Sequence, residues 1–324
     1  MKVTALRSSY DKVGGTVHFG RMIDKIRLYA AGTPPAEYHP YLGSAHPHSF
    51  DGRCCRFLRI GYSTLAARAK EGGKDEELFQ WACACGRKPS DEEIEIWNAF
   101  MQKRGWRDDS SGRLRERIRE ARIAPEAVQS FFDFNDADEG RPPHFPADPS
   151  PPKESVRGTA LIPGLRSPYD KVGGIFHFGR MLDKIRLAQA GKLPPAWLEA
   201  KGAANGFDGI CSRFLSIDYA ALEQVTMSGR SDSELLEWAF ANGRKPSEEE
   251  IEIWNDYLSK RCWRDQYAPR LRFRLEEAGM PIGSALTMFD FIDLDESRPL
   301  RSADSGVLLT ELGQNIAVCF TVSL

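Results

Sequence analysis

Apolar residues along this chain recur at helical rather than strand spacing. Between residues 18 and 30, Phe19, Met22, Ile23, Ile26 and Ala30 share one face of a 3.6-residue period, which predicts an amphipathic helix. His18, Arg21 and Lys25 run along one edge of that face, while Asp24 and Arg27 point away from it. Further helices are predicted over residues 50–60 and 62–70, split near Gly61, and over 75–85, stopped by Gly86. The clearest start signal is "PSDEEIEIWN", where Ser90 is a good N-cap and Glu93, three residues on, completes a capping box. Acids crowd that first turn, and Lys103 and Arg104 close the helix, in the order its dipole favours. Residues 113–121 and 125–134 read as two more helices. No segment alternates convincingly, so the predicted fold class is all-α.

The same pattern is then spelled a second time. Residues 6–141 align with residues 165–298, with small length changes in one loop and about half the positions identical, the signature of an internal repeat. A solenoid repeats every ~20–50 residues, so this period instead marks a duplicated domain. The expected organisation is a helical copy over 1–141, a proline-rich, semi-extended linker over 142–164, a second helical copy over 165–301, and a tail over 302–324 that has no counterpart. The end of that tail, 316–324, is apolar and strand-like.

Composition narrows the function only by exclusion. The 324 residues carry 44 basic and 46 acidic side chains, a net charge of -2 that gives no sign of a nucleic-acid or membrane-surface partner. No apolar run reaches the ~18 residues of a membrane helix, and the N-terminus lacks the apolar core of a signal peptide. Of seven cysteines only Cys54 and Cys211 match between copies, which argues against a disulfide framework and makes a reducing cytoplasm the expected compartment.

Five repeated constellations could carry chemistry. Arg21 and Lys25, with Arg180 and Lys184 in copy two, border an apolar face and would suit a phosphate or carboxylate ligand; internal ion pairs with the domain's own acids are the competing reading. "FDGRCCRFL" and "FDGICSRFL" keep Cys54 and Cys211, each a buried small hydrophobe, a nucleophile or a metal ligand; His18 and His177 would be the accompanying acid–base groups. Asn98 and Asn255 share a helix face with tryptophan and must find hydrogen-bond partners, in the fold or on a ligand. Asp133, Asp136, Asp138 and Glu139 fail the register of a calcium loop, and no metal is expected; helix-end solvation or pairing with the basic edge suits them better. Trp106 and Trp263, beside arginines, could stack on a ring but equally anchor a domain. There is no phosphate loop, dinucleotide fingerprint, zinc-protease helix or nucleophile elbow, so no cofactor is expected.

The strings "LRSPYDKVGG", "HFGRMLDKIRL", "FDG" with "RFL", "GRKPS" with "EEIEIWN", and "KR" with "WRD" resemble an uncharacterised bacterial family, domain of unknown function 5069. The resemblance covers both copies, whereas members usually carry one. It implies a soluble, cytoplasmic bacterial protein and transfers no catalytic residue. The expected role is a non-catalytic module binding a small anionic ligand or an unidentified protein partner. Two alternatives stay open: an enzyme using His with an Arg/Lys anion clamp and Cys54, and a purely structural interaction protein.

Overall fold

The computed structural model describes residues 6–32, 42–43, 49–146, 148 and 161–300. Most of the proline-rich linker, Cys319 and the unmatched tail lie outside the described residues. The chain divides into two compact units, Met1–Ala147 and Asp148–Arg301, which follow the duplication.

Among the described residues of the first unit a hairpin of two-residue strands, β1 (Lys12–Val13) and β2 (Thr16–Val17), precedes seven α-helices. These are α1 (Phe19–Ala30), α2 (Phe50–Leu58), α3 (Tyr62–Lys70), α4 (Asp75–Cys85), α5 (Asp91–Lys103), α6 (Ser111–Ala121) and α7 (Phe131–Asp138). The apolar stripe of α1 makes it the central helix, packed on α2, α3, α4 and β1. Its Phe19, Met22 and Ile23 are wholly buried, together with Leu58, Leu65, Leu78, Phe100 and Phe132. Trp97 of α5 stacks flat on Phe57, with ring centroids 4.6 Å apart.

The second unit repeats this plan. It contains α8 (Phe178–Gln189), α9 (Pro195–Ala200), α10 (Phe207–Leu215), α11 (Tyr219–Thr226), α12 (Asp232–Asn242), α13 (Glu248–Ser259), α14 (Ala268–Glu277) and α15 (Met288–Asp295). Trp254 stacks on Phe214 at 4.3 Å, and the hairpin shrinks to one antiparallel bridge between Val172 and Ile175.

The all-α class holds, with two local differences from the sequence pattern. The hairpin was not anticipated, because strands of two residues are too short to alternate. It turns through Gly14 and Gly15, both at positive φ (57° and 75°), where a glycine pair serves a two-residue turn. The helix expected over 125–134 is instead a short 3-10 turn, Pro125–Ala127, followed by α7. The Ser130 hydroxyl accepts the Asp133 amide in a capping box, which starts the helix six residues later than the apolar period suggested. The start of the linker also belongs to the first unit, since His144 stacks on Tyr10 at 4.1 Å. Among the described residues no helix is long and apolar enough to cross a membrane.

Candidate functional site

The hairpin delivers the chain to α1 through His18, whose φ of 68° is left-handed; His177 repeats this at 70°. Such a conformation costs a non-glycine residue about 1–3 kcal/mol and persists only when its surroundings hold it. Here the His18 amide donates to the Ser9 carbonyl, its own carbonyl accepts from Met22, and its ring is 2 % exposed, edge-on to Phe50.

The ring closes a buried clasp. Asp51, at the start of α2, accepts on Oδ1 from Lys25 Nζ (2.5 Å) and His18 Nε2 (2.8 Å), and on Oδ2 from the Gly43 amide (3.0 Å). Burial opposes ionisation of this carboxyl, but the Lys25 charge and the His18 hydrogen bond hold it at about 2. Burial pushes His18 down to about 4, against the pull of Asp51, so the imidazole is neutral near pH 7. Because the carboxylate can only accept, Nε2 carries the proton and Nδ1 keeps a bare lone pair, buried with no hydrogen-bond partner. Burial also lowers Lys25, which its partner Asp51 counteracts. Copy two reproduces each contact: Asp208 accepts from Lys184 (2.5 Å), His177 (2.8 Å) and the Gly202 amide (2.9 Å).

Arg21 belongs to a second clasp. It donates to the Arg7 carbonyl (2.8 Å) and forks onto both oxygens of Glu139, beyond the end of α7. Arg141 grips the same carboxylate and also reaches the Leu6 carbonyl. Arg180, Glu296 and Arg298 repeat the set, where the Trp197 indole adds a bond to Glu296 (3.2 Å). The basic edge and the C-terminal acids therefore meet across 118 residues of sequence, and Arg21 and Lys25 are only 3 % and 6 % exposed.

The other candidates are also engaged within the fold. Asn98 accepts from the Val17 amide (3.0 Å) and donates to the Gly15 carbonyl (2.8 Å), fastening the hairpin to α5; Asn255 does the same at Phe176 and Gly174. Cys54 and Cys211 are fully buried, and burial drives both thiols far above their ordinary range. Asp133 accepts from the Tyr10 hydroxyl (2.7 Å) and Asp136 from that of Ser8 (2.7 Å). Trp106 and Trp263 lie under Arg107 and Arg264, and the Trp263 indole donates to Asp148 (3.1 Å). Among the described residues no group of three or more His, Cys, Asp or Glu is arranged to hold a metal ion.

An open site lies beside the first clasp, between α1 and α3. It is a cleft of about 470 Å³, walled by Ile26, Leu42, Ala66 and Ala67, flanked by the rings of Tyr29 and Tyr62, and given polar groups by Ser63 and Lys70. Asp51 positions it. The amide it holds is that of Gly43, which follows Leu42, and the Tyr62 ring packs so closely on Gly43 that a Cβ there would lie 2.7 Å away. The amphipathic pattern pointed to none of these residues as a group, since the cleft depends on small side chains in α3 and on a loop residue.

Each repeat is thus a small helical domain in which the helix after the first loop and the end of the last helix are locked onto a central helix by two buried ionic clasps. The model for the family described as Domain of unknown function (DUF5069) matches residues 3–141 and 162–298, so the chain belongs to that family and carries it in two tandem copies. No curated protein matches the chain.

Proposed function

We propose that this protein is a non-catalytic module that binds a small anionic ligand in the cleft of its first repeat. The observation that carries this reading is the cleft itself, whose volume of about 470 Å³ falls in the range of small-molecule sites and whose described lining is apolar and aromatic with one cation, Lys70. The basic edge contributes indirectly. Arg21 and Lys25 are neutralised by Glu139 and Asp51, and their work is to hold α1 and the Leu42–Gly43 segment where the cleft needs them. A catalytic role for His18 or Cys54 is disfavoured by burial, which leaves a substrate no path to either. Cys54, Cys55, Cys83, Cys85 and Cys211 form no disulfide, which suits work in the cytoplasm.

A thermal-shift screen of the full chain against phosphate, short-chain carboxylates and aromatic carboxylates tests this. A ligand at one hundred times its Kd stabilises by about 2.7 kcal/mol and raises the melting temperature accordingly. The expected result is a rise with an apolar carboxylate that Lys70→Met weakens. If no anion shifts the melt, the binding reading is wrong and the purely structural one replaces it.

A further inference from the structure

The two repeats differ most usefully at the cleft. Gly43 and Gly202 both donate their amide to the clasp aspartate, and both sit at φ near 70° against a tyrosine ring, Tyr62 or Tyr219. That fixes the correspondence: Leu42 equates with Lys201, and along α3 and α11 Ala66 equates with Glu223 and Lys70 with Met227. On α1 and α8, Tyr29 equates with Ala188. Two short apolar walls of the first repeat are therefore replaced by opposite charges, and these join: Lys201 Nζ lies 2.5 Å from Glu223. The same ammonium stands 5.8 Å from the Tyr219 ring centroid. The Tyr219 hydroxyl is buried without a hydrogen-bond partner, an unfavourable position for a polar group. Tyr62, by contrast, lines the open cleft.

We infer that the chain has one ligand site, not two: the cleft of the first repeat takes a single apolar, preferably aromatic, monoanion, and the Lys201–Glu223 bridge has shut the same site in the second. This rests on the proposed binding function and assigns its ligand class and stoichiometry. The ligand's body meets Ile26, Leu42, Ala66 and the two tyrosine rings, which favour a flat or branched hydrocarbon. Lys70 is the one cation among the described lining residues, which matches one negative charge rather than the several of a polyphosphate. An orphaned hydroxyl on the ring beside the bridge is what remains when a tyrosine suited to an open cleft is covered without being replaced.

The test uses the full chain with 1-naphthylacetate as probe, titrated calorimetrically, and O-acetylation of tyrosines read by peptide mass spectrometry. One equivalent should bind. Leu42→Lys with Ala66→Glu, which grafts the bridge into the first repeat, should weaken binding at least tenfold. Lys70→Met alone should weaken it about two- to fivefold, and 1-naphthylacetamide should bind wild type correspondingly less well than the acid. Tyr62 should acetylate and Tyr219 should not, until Lys201→Leu with Glu223→Ala uncovers it. Adding Ala188→Tyr and Met227→Lys to that pair should raise the stoichiometry to two. Two equivalents on the wild type, indifference to the grafted bridge, or equal affinity for acid and amide would overturn the inference. Acetylation of Tyr219 at the rate of Tyr62 would overturn the closure whatever binds. No binding of the probe with the tyrosine contrast intact would instead overturn the ligand class and the proposed function, leaving the closed second cleft standing.

Discussion

His18 and His177 are neutral imidazoles held against charged partners, and that makes them acid-sensitive. Burial lowers each to about 4, whereas the unfolded chain protonates its histidines near 6.5. The unfolded state binds more protons between those values, so stability is complete above pH 6.5 and is lost as pH falls towards 4. The linkage amounts to about 3 kcal/mol for each ring. Asp51, held at about 2, adds its own loss only below its ordinary 3.8. Melting temperature should therefore drop steeply from pH 6.5 to 4, and histidine nitrogen NMR should show both rings as neutral Nε2–H tautomers at pH 5.5. An imidazolium signal at that pH from either ring would contradict the buried clasp. Arg21 gives the second prediction at this scale. Arg21→Ala takes the guanidinium fork off the buried Glu139 carboxylate, so stability should fall by about 3 kcal/mol, the lower end for a broken buried pair. Urea unfolding measures it. Unchanged stability combined with lost ligand binding would return Arg21 to the role of direct ligand contact.

The elements of each repeat were legible in the sequence where a local rule decides them, and illegible where a distant residue does. Periodicity placed α1, α3 and α4, and the Ser90–Glu93 box placed the start of α5, because those signals act within one turn of helix. The start of α7 was misplaced because Val128 continues the apolar period while Ser130 supplies the cap. The pairing of Arg21 with Glu139 and of Lys25 with Asp51 is a property of the assembled unit. Sequence spacing offered both acids and both bases but not which meets which. The hairpin had one readable mark, the glycine pair in "KVGGTV", and its two glycines are not equivalent. A Cβ on Gly14 would lie 2.0 Å from the Phe79 ring, whereas on Gly15 the nearest atom is 3.8 Å away at Ile94. Gly14→Ala should cost about 2–4 kcal/mol, from positive φ and overpacking together, and Gly15→Ala about 1 from φ alone. Equal effects in a denaturant titration would mean that the hairpin does not seat against α4 as described.

At the scale of the whole chain, duplication predicts two units that can each stand alone. Each holds its own central helix, its own pair of clasps and its own tryptophan stack. Where the chain is cut matters, because Asp148 belongs with the second unit. It accepts from the Trp263 indole at 3.1 Å and lies 3.4 Å from the Arg264 guanidinium. Phe145, three residues back, behaves differently, since it packs on Tyr10 of the first unit. Fragments 1–147 and 148–301 should each unfold cooperatively with a helical circular-dichroism signal. Fragment 161–301, which loses Asp148, should be less stable than 148–301 by about 1–3 kcal/mol, the range for hydrogen bonds to a charged group. Restoring the acid as part of the longer fragment, but as Asp148→Asn, should recover only part of that difference, because the amide can still accept from Trp263 but no longer attracts Arg264. If neither 1–147 nor 148–301 folds, the repeats share one interleaved core and the duplication is one of sequence alone. If both fold and the Asp148 variants do not differ, the boundary belongs further along the linker, at the buried Ile162 and Leu165 that open the second copy.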